Sequence, residues 1–284
     1  MARRDLERTA DLLWRRQRPG SRGPRGSLTV DQIVGTAVEL ADAEGMAGVT
    51  MGKVAKRLGV TTMSLYRYIP GKDDLVDLMM DMATGQPDTT EWPAPWRPRI
   101  RAFSRAQYET LIGRPWLLEI PIGTPPMGPN NITWLEAGLA AMEGTPLTPE
   151  DRMGVVSVVS GYALTEARQT QVIRRAEPAT GVSYGDWGSV YHKVLARVVA
   201  EGEYPALSRI VAEGVFEDDR STPEEEFAYG LDFLLDGVEA LMEKRRAQPW
   251  GGPAPGAEPL TRGRPARYGR LRAITTRWIW LVPS

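Results

Sequence analysis

Met51-Gly52-Lys53-Val54-Ala55-Lys56-Arg57-Leu58, then Gly59-Val60-Thr61, then Thr62-Met63-Ser64-Leu65-Tyr66-Arg67-Tyr68 is the stretch that decides how this chain reads. The first run puts Val54, Ala55 and Leu58 on one side, has Thr50 in place to cap it, and stops at Gly59. A second short run begins three residues later and is broken by Pro70-Gly71. Two helices joined by a tight, Gly-containing turn make a helix-turn-helix. Leu65 and Ile69 are four apart and anchor the second helix, so Met63 and Arg67 point almost directly away, flanked by Ser64 and Tyr66. Such a face suits a DNA major groove, where Arg takes guanine bidentately and a Met or Thr methyl meets the thymine methyl. Thr62 stands at the helix start, where free backbone N–H groups favour a phosphate, and Lys72 is placed for the DNA backbone. The residues of this stretch alone leave an ordinary surface helical hairpin open as the alternative.

Working outward, Thr29 and Gln32 form a capping box ahead of the stripe Val30, Ile33, Val34, Ala37, Val38 and Ala41, which ends at Gly45. After the motif, a helix opening at Lys72 or Asp73 aligns Leu75, Leu78, Met79 and Met82. The Pro- and Trp-containing stretch from Pro87 to Pro98 reads as a linker, so residues 28–86 make an N-terminal three-helix helix-turn-helix domain with that following helix. Residues 1–27 read as a basic, disordered arm, because Arg15 to Gly26 holds too many Gly and Pro to be regular and too many Arg to be buried; a helix over Leu6 to Trp14 is the alternative for its first part. The formal charge of −1 is unevenly distributed: 13 Lys/Arg against 7 Asp/Glu up to Lys72, 6 Arg against 1 Glu from Gln248 onward, and a strongly acidic middle. A basic N-terminal region on an acidic body fits contact with a polyanion, though solvated tails account equally for the charged ends.

With these residues laid out, Val49 to Val76 resembles the DNA-binding segment of the tetracycline-repressor (TetR) family of bacterial regulators. The run Val54-Ala55-Lys56-Arg57-Leu58-Gly59-Val60, followed by Ser64-Leu65-Tyr66-Arg67-Tyr68-Ile69-Pro70-Gly71-Lys72-Asp73-Asp74-Leu75, looks very like that family's most characteristic stretch, and the match extends over about Leu28 to Thr84. Leu13-Trp14 with the Arg/Gly/Pro lead-in, and Gly230 to Leu241, are similar to the branch nearest the tetracycline repressors themselves. The resemblance implies that Thr50, Thr62, Met63, Ser64, Tyr66, Arg67, Tyr68 and Lys72 occupy DNA-contact positions. One departure is Gly52, which stands where many relatives carry a DNA-contacting Arg.

Residues 96–247 read as a larger C-terminal helical domain, so the fold class is all-α. Helices are expected at about Trp96 to Ile112, Asn130 to Glu143, Pro149 to Arg175, Tyr184 to Glu201, Pro205 to Glu213 and Pro223 to Ala247. The Pro149 helix is marked by Thr148 as N-cap, Pro149 at N1, and Glu150 and Asp151 in the first turn. Small residues Gly154, Ser157, Ser160 and Gly161 and the stripe Phe227, Leu231, Leu234, Val238 and Leu241 are the candidate dimer surface; the resemblance implies a four-helix bundle of two helices per subunit, the alternative being intramolecular core. A cavity for a small-molecule effector is expected near Phe103, Gln107, Trp134, Tyr162, Glu166, Gln169 and His192, with plain core filling as the alternative reading of each aromatic. His192 is the single histidine, so no metal site is convincing. Residues 248–284, Gly/Pro/Arg-rich with an apolar Trp278 to Val282 end, read as a disordered basic tail.

No apolar run reaches the roughly 18 residues of a membrane span, no signal sequence is evident and Cys is absent, so the expected location is the cytoplasm and no membrane partner is expected. No nucleophile elbow, phosphate loop or clustered His/Cys points to an enzyme or a cofactor. The function expected is a homodimeric, sequence-specific transcriptional regulator on a palindromic double-stranded operator, a repressor released by a small hydrophobic ligand. An activator on the same fold and, further off, an all-helical enzyme are the alternatives.

Overall fold

The computed structural model describes residues 6–16, 28–121, 127–216 and 222–247. Among them no strand occurs, and the α-helices are α1 (Leu6–Leu13), α2 (Val30–Glu44), α3 (Met51–Arg57), α4 (Thr62–Tyr66), α5 (Lys72–Thr84), α6 (Trp96–Gly113), α7 (Pro129–Ala140), α8 (Pro149–Thr180), α9 (Trp187–Glu201), α10 (Pro205–Ala212) and α11 (Pro223–Ala247). Short 3₁₀ turns lie at Met46–Gly48, Pro115–Glu119 and Tyr184–Asp186.

Local chemistry sets most helix starts. Thr29 accepts from the Gln32 backbone N–H at 3.1 Å while Gln32 Oε1 accepts from the Thr29 N–H at 2.9 Å, a complete capping box on α2. Thr50 and Thr61 cap α3 and α4, accepting from Lys53 N and Ser64 N. Thr148 and Asp151 close a second box on α8. That helix runs through Pro178 to Thr180, where Gly181 at φ +68° ends it. The sequence reading stopped it at Arg175; a proline removes one ladder bond, and here the last turns simply continue on the exposed side.

Two apolar cores organise the chain. The N-terminal core joins Ile33, Val34, Val38 and Leu40 of α2 with Val54, Leu65, Ile69, Leu75, Leu78 and Met79. The second joins Ile100, Phe103 and Tyr108 of α6 with Trp134, Val155, Val159, Ala163, Phe227, Leu231 and Leu235. The sequence reading needs correction at three places. Trp116, within the range assigned there to the larger domain, lies with Leu117 and Ile120 in the N-terminal core, where its indole N–H donates to Asp42 Oδ1 of α2 at 2.6 Å. The first part of the presumed arm is the helix α1, whose Leu12 and Leu13 are buried and which packs on α5, with the Trp14 indole N–H donating to the Met127 carbonyl at 2.8 Å. Most of the rest of that arm and all of the tail from 248 lie outside the described residues. The third correction concerns the stripe assigned to a dimer. Phe227 and Leu231 are buried within the chain, and Leu234, Val238 and Leu241 pack against the same core. The outward side of α11 instead carries Tyr229 and Phe233, 69% and 62% exposed and packed edge to face at 4.9 Å.

The two cores meet at the end of α5. Asp81, buried there, accepts from the Asn131 backbone N–H at 3.0 Å and from Asn131 Nδ2 at 2.9 Å, so an α5 side chain caps α7. Asn130 Nδ2 donates to the Asp81 carbonyl, Arg114 Nη1 to the Ala83 carbonyl at 2.6 Å, and the Trp134 indole to the Gly85 carbonyl at 3.0 Å. Gly128 lies so close that a Cβ there would fall inside the Asp81 carboxyl group. On the far side of the larger unit Arg245 binds Asp151 through two bonds of 2.7 and 2.9 Å, tying the end of α11 to the start of α8.

Gly128→Ala is expected to expel the Asp81 cap and lower stability by about 1–3 kcal/mol, the cost of leaving buried polar groups unsatisfied; urea unfolding checks it. Asp151 offers a pH test. The Arg245 guanidinium, helped by Thr148 and opposed by burial, holds its carboxyl at about 2 against an ordinary 3.8. A depressed folded-state value means that the contribution is complete above about pH 4 and disappears as pH falls toward 2. Melting curves at pH 5, 3.5 and 2.5 are expected to lose less stability in Asp151→Asn than in the parent chain.

Candidate functional site

The outward face of α4 follows from what holds it inward. Leu65 and Ile69 are fully buried, and the backbone N–H groups of Tyr68 and Ile69 both bond the Leu65 carbonyl, which carries the helical turn past Tyr66. Met63 is 73% exposed, a large apolar side chain held in water with nothing across from it. Tyr66 and Arg67 are exposed beside it, and Ser64 is half-buried with its Oγ 2.9 Å from Thr61 Oγ1. Thr62 is half-buried at the helix start, and Lys72 is exposed at the start of α5. Tyr68 differs from these, since it is half-buried and its ring packs against the N-terminal core. Thr50 is exposed and already accepts from the Lys53 N–H at 3.2 Å, leaving its second lone pair and its own proton for another partner. Thus Met63, Tyr66, Arg67 and Lys72 are exposed, Thr50 and Ser64 also take part in hydrogen bonds at the helix starts, Thr62 is half-buried, and Tyr68 divides its surface between core and solvent. Thr61 escaped the sequence reading; the signal was a hydroxyl three residues before Ser64, with no acidic partner to complete a box.

Charge on this surface is partly compensated. Lys53 Nζ donates to Glu44 at 2.7 Å and Arg57 lies 3.9 Å from Glu39, while the Lys53 ammonium holds the Glu44 carboxyl below its ordinary range. Gly52 is exposed in α3, and a Cβ there would meet open space.

In the larger unit the seven effector-site candidates fall into separate settings. Phe103 and Trp134 pack against each other at 5.9 Å and against Trp92, deep in the core. Tyr162 stacks on Phe227 at 5.3 Å, Phe227 stacks on Tyr108 at 4.6 Å, and the Tyr162 hydroxyl donates to the Phe227 carbonyl at 3.0 Å. Burial pushes both the Tyr162 and Glu166 groups up, and the charge of Glu226 adds to Glu166's shift. Gln107 Oε1 is buried with no hydrogen-bond partner. Gln169 is exposed on α8, and His192 sits half-buried on α9. A cleft of about 370 Å³ opens between α8 and α9, lined by Val172, Ile173, Ala176, Trp187, Gly188 and Tyr191. None of the seven candidates lines it. Its lining escaped the sequence reading because Val172 and Ile173 look like any apolar pair of an amphipathic helix. Among the described residues no group of three or more His, Asp or Glu could hold a metal ion, and no helix is long and apolar enough to cross a membrane.

Comparison with known proteins places both units. Residues 33–79 match the family model described as bacterial regulatory proteins, tetR family, and residues 89–242 match the tetracyclin repressor-like C-terminal domain. The chain is 36% identical to the HTH-type transcriptional repressor DrrR1 of Streptomyces coeruleorubidus over 86% of this chain and 89% of that one. It is 30% identical to an HTH-type transcriptional regulator of Saccharopolyspora erythraea, over 80% and 91% of the two chains. Among solved structures, apo ActR from Streptomyces coelicolor superposes with a TM-score of 0.62 at 24% identity, covering 76% of this chain and 99% of that one; ActR in complex with actinorhodin gives 0.61.

Two substitutions at the open Gly52 position separate stability from contact. Gly52→Ala removes a mid-helix glycine without a clash and is expected to raise stability by about 0.5–1 kcal/mol. Gly52→Arg is expected to add a phosphate contact and steepen the salt dependence of DNA binding by about one counterion; titrations at several salt concentrations read the slope.

Proposed function

Because the chain belongs to the TetR family of HTH-type transcriptional regulators, we propose that it acts as a homodimeric repressor that leaves a palindromic operator when a small molecule enters its larger domain. The observation that carries this reading is the face of α4, where buried Leu65 and Ile69 turn exposed Met63, Tyr66 and Arg67 outward together. In this reading Arg67 reads a base edge, and Met63 and Tyr66 meet apolar groove atoms. Thr50, Thr62, Ser64, Tyr68 and Lys72 hold the phosphates that fix register.

A single α4 spans a few base pairs, so two copies on an inverted repeat supply the specificity. The second copy docks on the outward side of α11 and the adjoining side of α8. Tyr229, Phe233 and, on α8, Met153 and Val158 leave an apolar surface exposed that a monomer in water gains nothing from showing. DNA release follows from the joint at the end of α5. Effector entry shifts α6 and α7, Arg114, Trp134, Asn130 and Asn131 carry the shift to α5, and the spacing of the two α4 helices leaves register. Such a protein works in the cytoplasm and performs no chemistry on its effector. The repressor DrrR1 and the actinorhodin-bound ActR support repression and effector binding by analogy.

Sequencing the genomic fragments retained by the purified protein at physiological salt is expected to recover an inverted repeat with half-sites about one helical turn apart; no enrichment over bulk DNA would sink the proposal. Arg67→Ala is expected to weaken operator binding more than random-sequence binding, while Phe233→Glu is expected to yield monomers by sedimentation and to lose operator affinity with its fold intact.

A further inference from the structure

The sequence holds 11 Met and no Cys, so all of its sulfur is thioether and no thiol competes for an oxidant. Two described methionines are exposed, Met63 at 73% and Met153 at 46%. The other described ones are buried, as Met51, Met79, Met142 and Met242 are, or packed half-buried against the N-terminal core. Met153 lies on the side of α8 proposed above to receive the second copy, which leaves Met63 as the thioether most open to solvent in the dimer. Its exposure is built in: fully buried Leu65 and Ile69 hold α4 so that Met63 stands outward beside exposed Tyr66 and Arg67. The sulfur most accessible to a small oxidant therefore sits in the middle of the face that meets DNA.

Resting on the reading of α4 as the DNA-contacting helix, we propose that Met63 is a reversible oxidation site at which a hypohalous acid switches off operator binding. The thioether sulfur attacks the chlorine of hypochlorous acid and hydroxide leaves; water then adds to sulfur and chloride leaves. In sum the sulfur gains one oxygen and loses two electrons, the chlorine is reduced to chloride, and one proton is released. The product is polar where the parent side chain was apolar. A sulfoxide oxygen accepts hydrogen bonds and donates none. Facing a thymine methyl it forfeits the apolar contact, and facing thymine O4 or guanine O6 and N7 it sets acceptor against acceptor. Closed into the groove without a donor, it carries the cost of any unsatisfied polar group. The switch also has an order of events. On the operator Met63 is shielded by the groove, and off it the sulfur is open. Oxidation therefore captures the released protein and holds it off DNA until the sulfoxide is reduced.

The test uses the full chain and the inverted repeat recovered by genomic selection. Protein is treated with rising amounts of hypochlorous acid, and oxidised methionines are mapped by peptide mass spectrometry. Met63 sulfoxide is expected to form before that of Met153 or of any core methionine. Adding the operator before the oxidant is expected to slow its formation at least about tenfold, the mark of a group that reacts only off DNA. Protein oxidised at Met63 is expected to lose about tenfold or more in operator affinity, the scale of one lost base contact, and to regain it with methionine sulfoxide reductases of both stereospecificities. Met63→Leu, whatever its starting affinity, is expected to lose nothing further on the same treatment, whereas Met153→Leu loses as much as the parent. Equal losses in the parent and in Met63→Leu overturn the proposal. Full affinity with Met63 oxidised does so too, as does faster oxidation of Met153 or a core methionine. Untreated protein that retains no repeat defeats the DNA reading and the switch with it; an operator complex that forms normally and ignores oxidation defeats the switch alone.

Discussion

The constraint on which the DNA side of this molecule most depends is the last turn of α5. Asp81 caps α7, and the carbonyls of Ala83 and Gly85 accept from Arg114 and Trp134, so three consecutive odd-numbered residues are pinned to the effector unit. Leu75, Leu78 and Met79 of the same helix share a core with Leu65 and Ile69 of α4. A packed core transmits displacement instead of absorbing it. The orientation of Met63 and Arg67 is therefore coupled, through α5 and with help from the Trp116–Asp42 bond to α2, to where α6 and α7 stand.

Within the effector unit α8 is the element on which the other helices are assembled. α8, 32 residues long, carries a capping box at one end and is tied to the end of α11 by the Asp151–Arg245 pair. α6 meets α11 through Arg97, which reaches Asp236 and Glu239, and through Arg101, which donates to Asp232. Those pairs are substantially exposed, so individually they contribute little. α6 is thus held to α8 by the buried Ile100, Phe103 and Tyr108 and by the Ser104 hydroxyl, which donates to the Val159 carbonyl, while its α11 side is held by exposed ion pairs.

What the sequence made legible was local. Caps at Thr29, Thr50 and Thr148 and the buried pair Leu65 and Ile69 are decided within four residues, and the structure places them where the pattern does. The joint was not legible, because its donors and acceptors lie far apart in sequence, Asp81 and Asn130 at a separation of 49 positions and Asp42 and Trp116 at 74. No periodicity records such a pairing; Asp81 reads as one more acid on a helix and Trp116 as one more aromatic. The effector candidates suffered similarly. Composition could flag Tyr162 and Glu166 as unusual on α8, but that Ile173 and Ala176 line a cleft depends on α9 lying across them.

The joint also has a direction. In most of the hydrogen bonds at this seam the donor belongs to the effector side, from Arg114, Trp116, Asn130, Asn131 and Trp134, and the acceptor to the DNA side, from Asp42, Asp81 and two carbonyls; the Trp14 indole of α1, donating to the Met127 carbonyl, runs the other way. A polarity of this kind lets a DNA-binding module be exchanged in evolution on few terms: a graft seats if it brings two carboxylates, a helix end with free carbonyls and an apolar socket for Trp116, whatever its own α4 exposes.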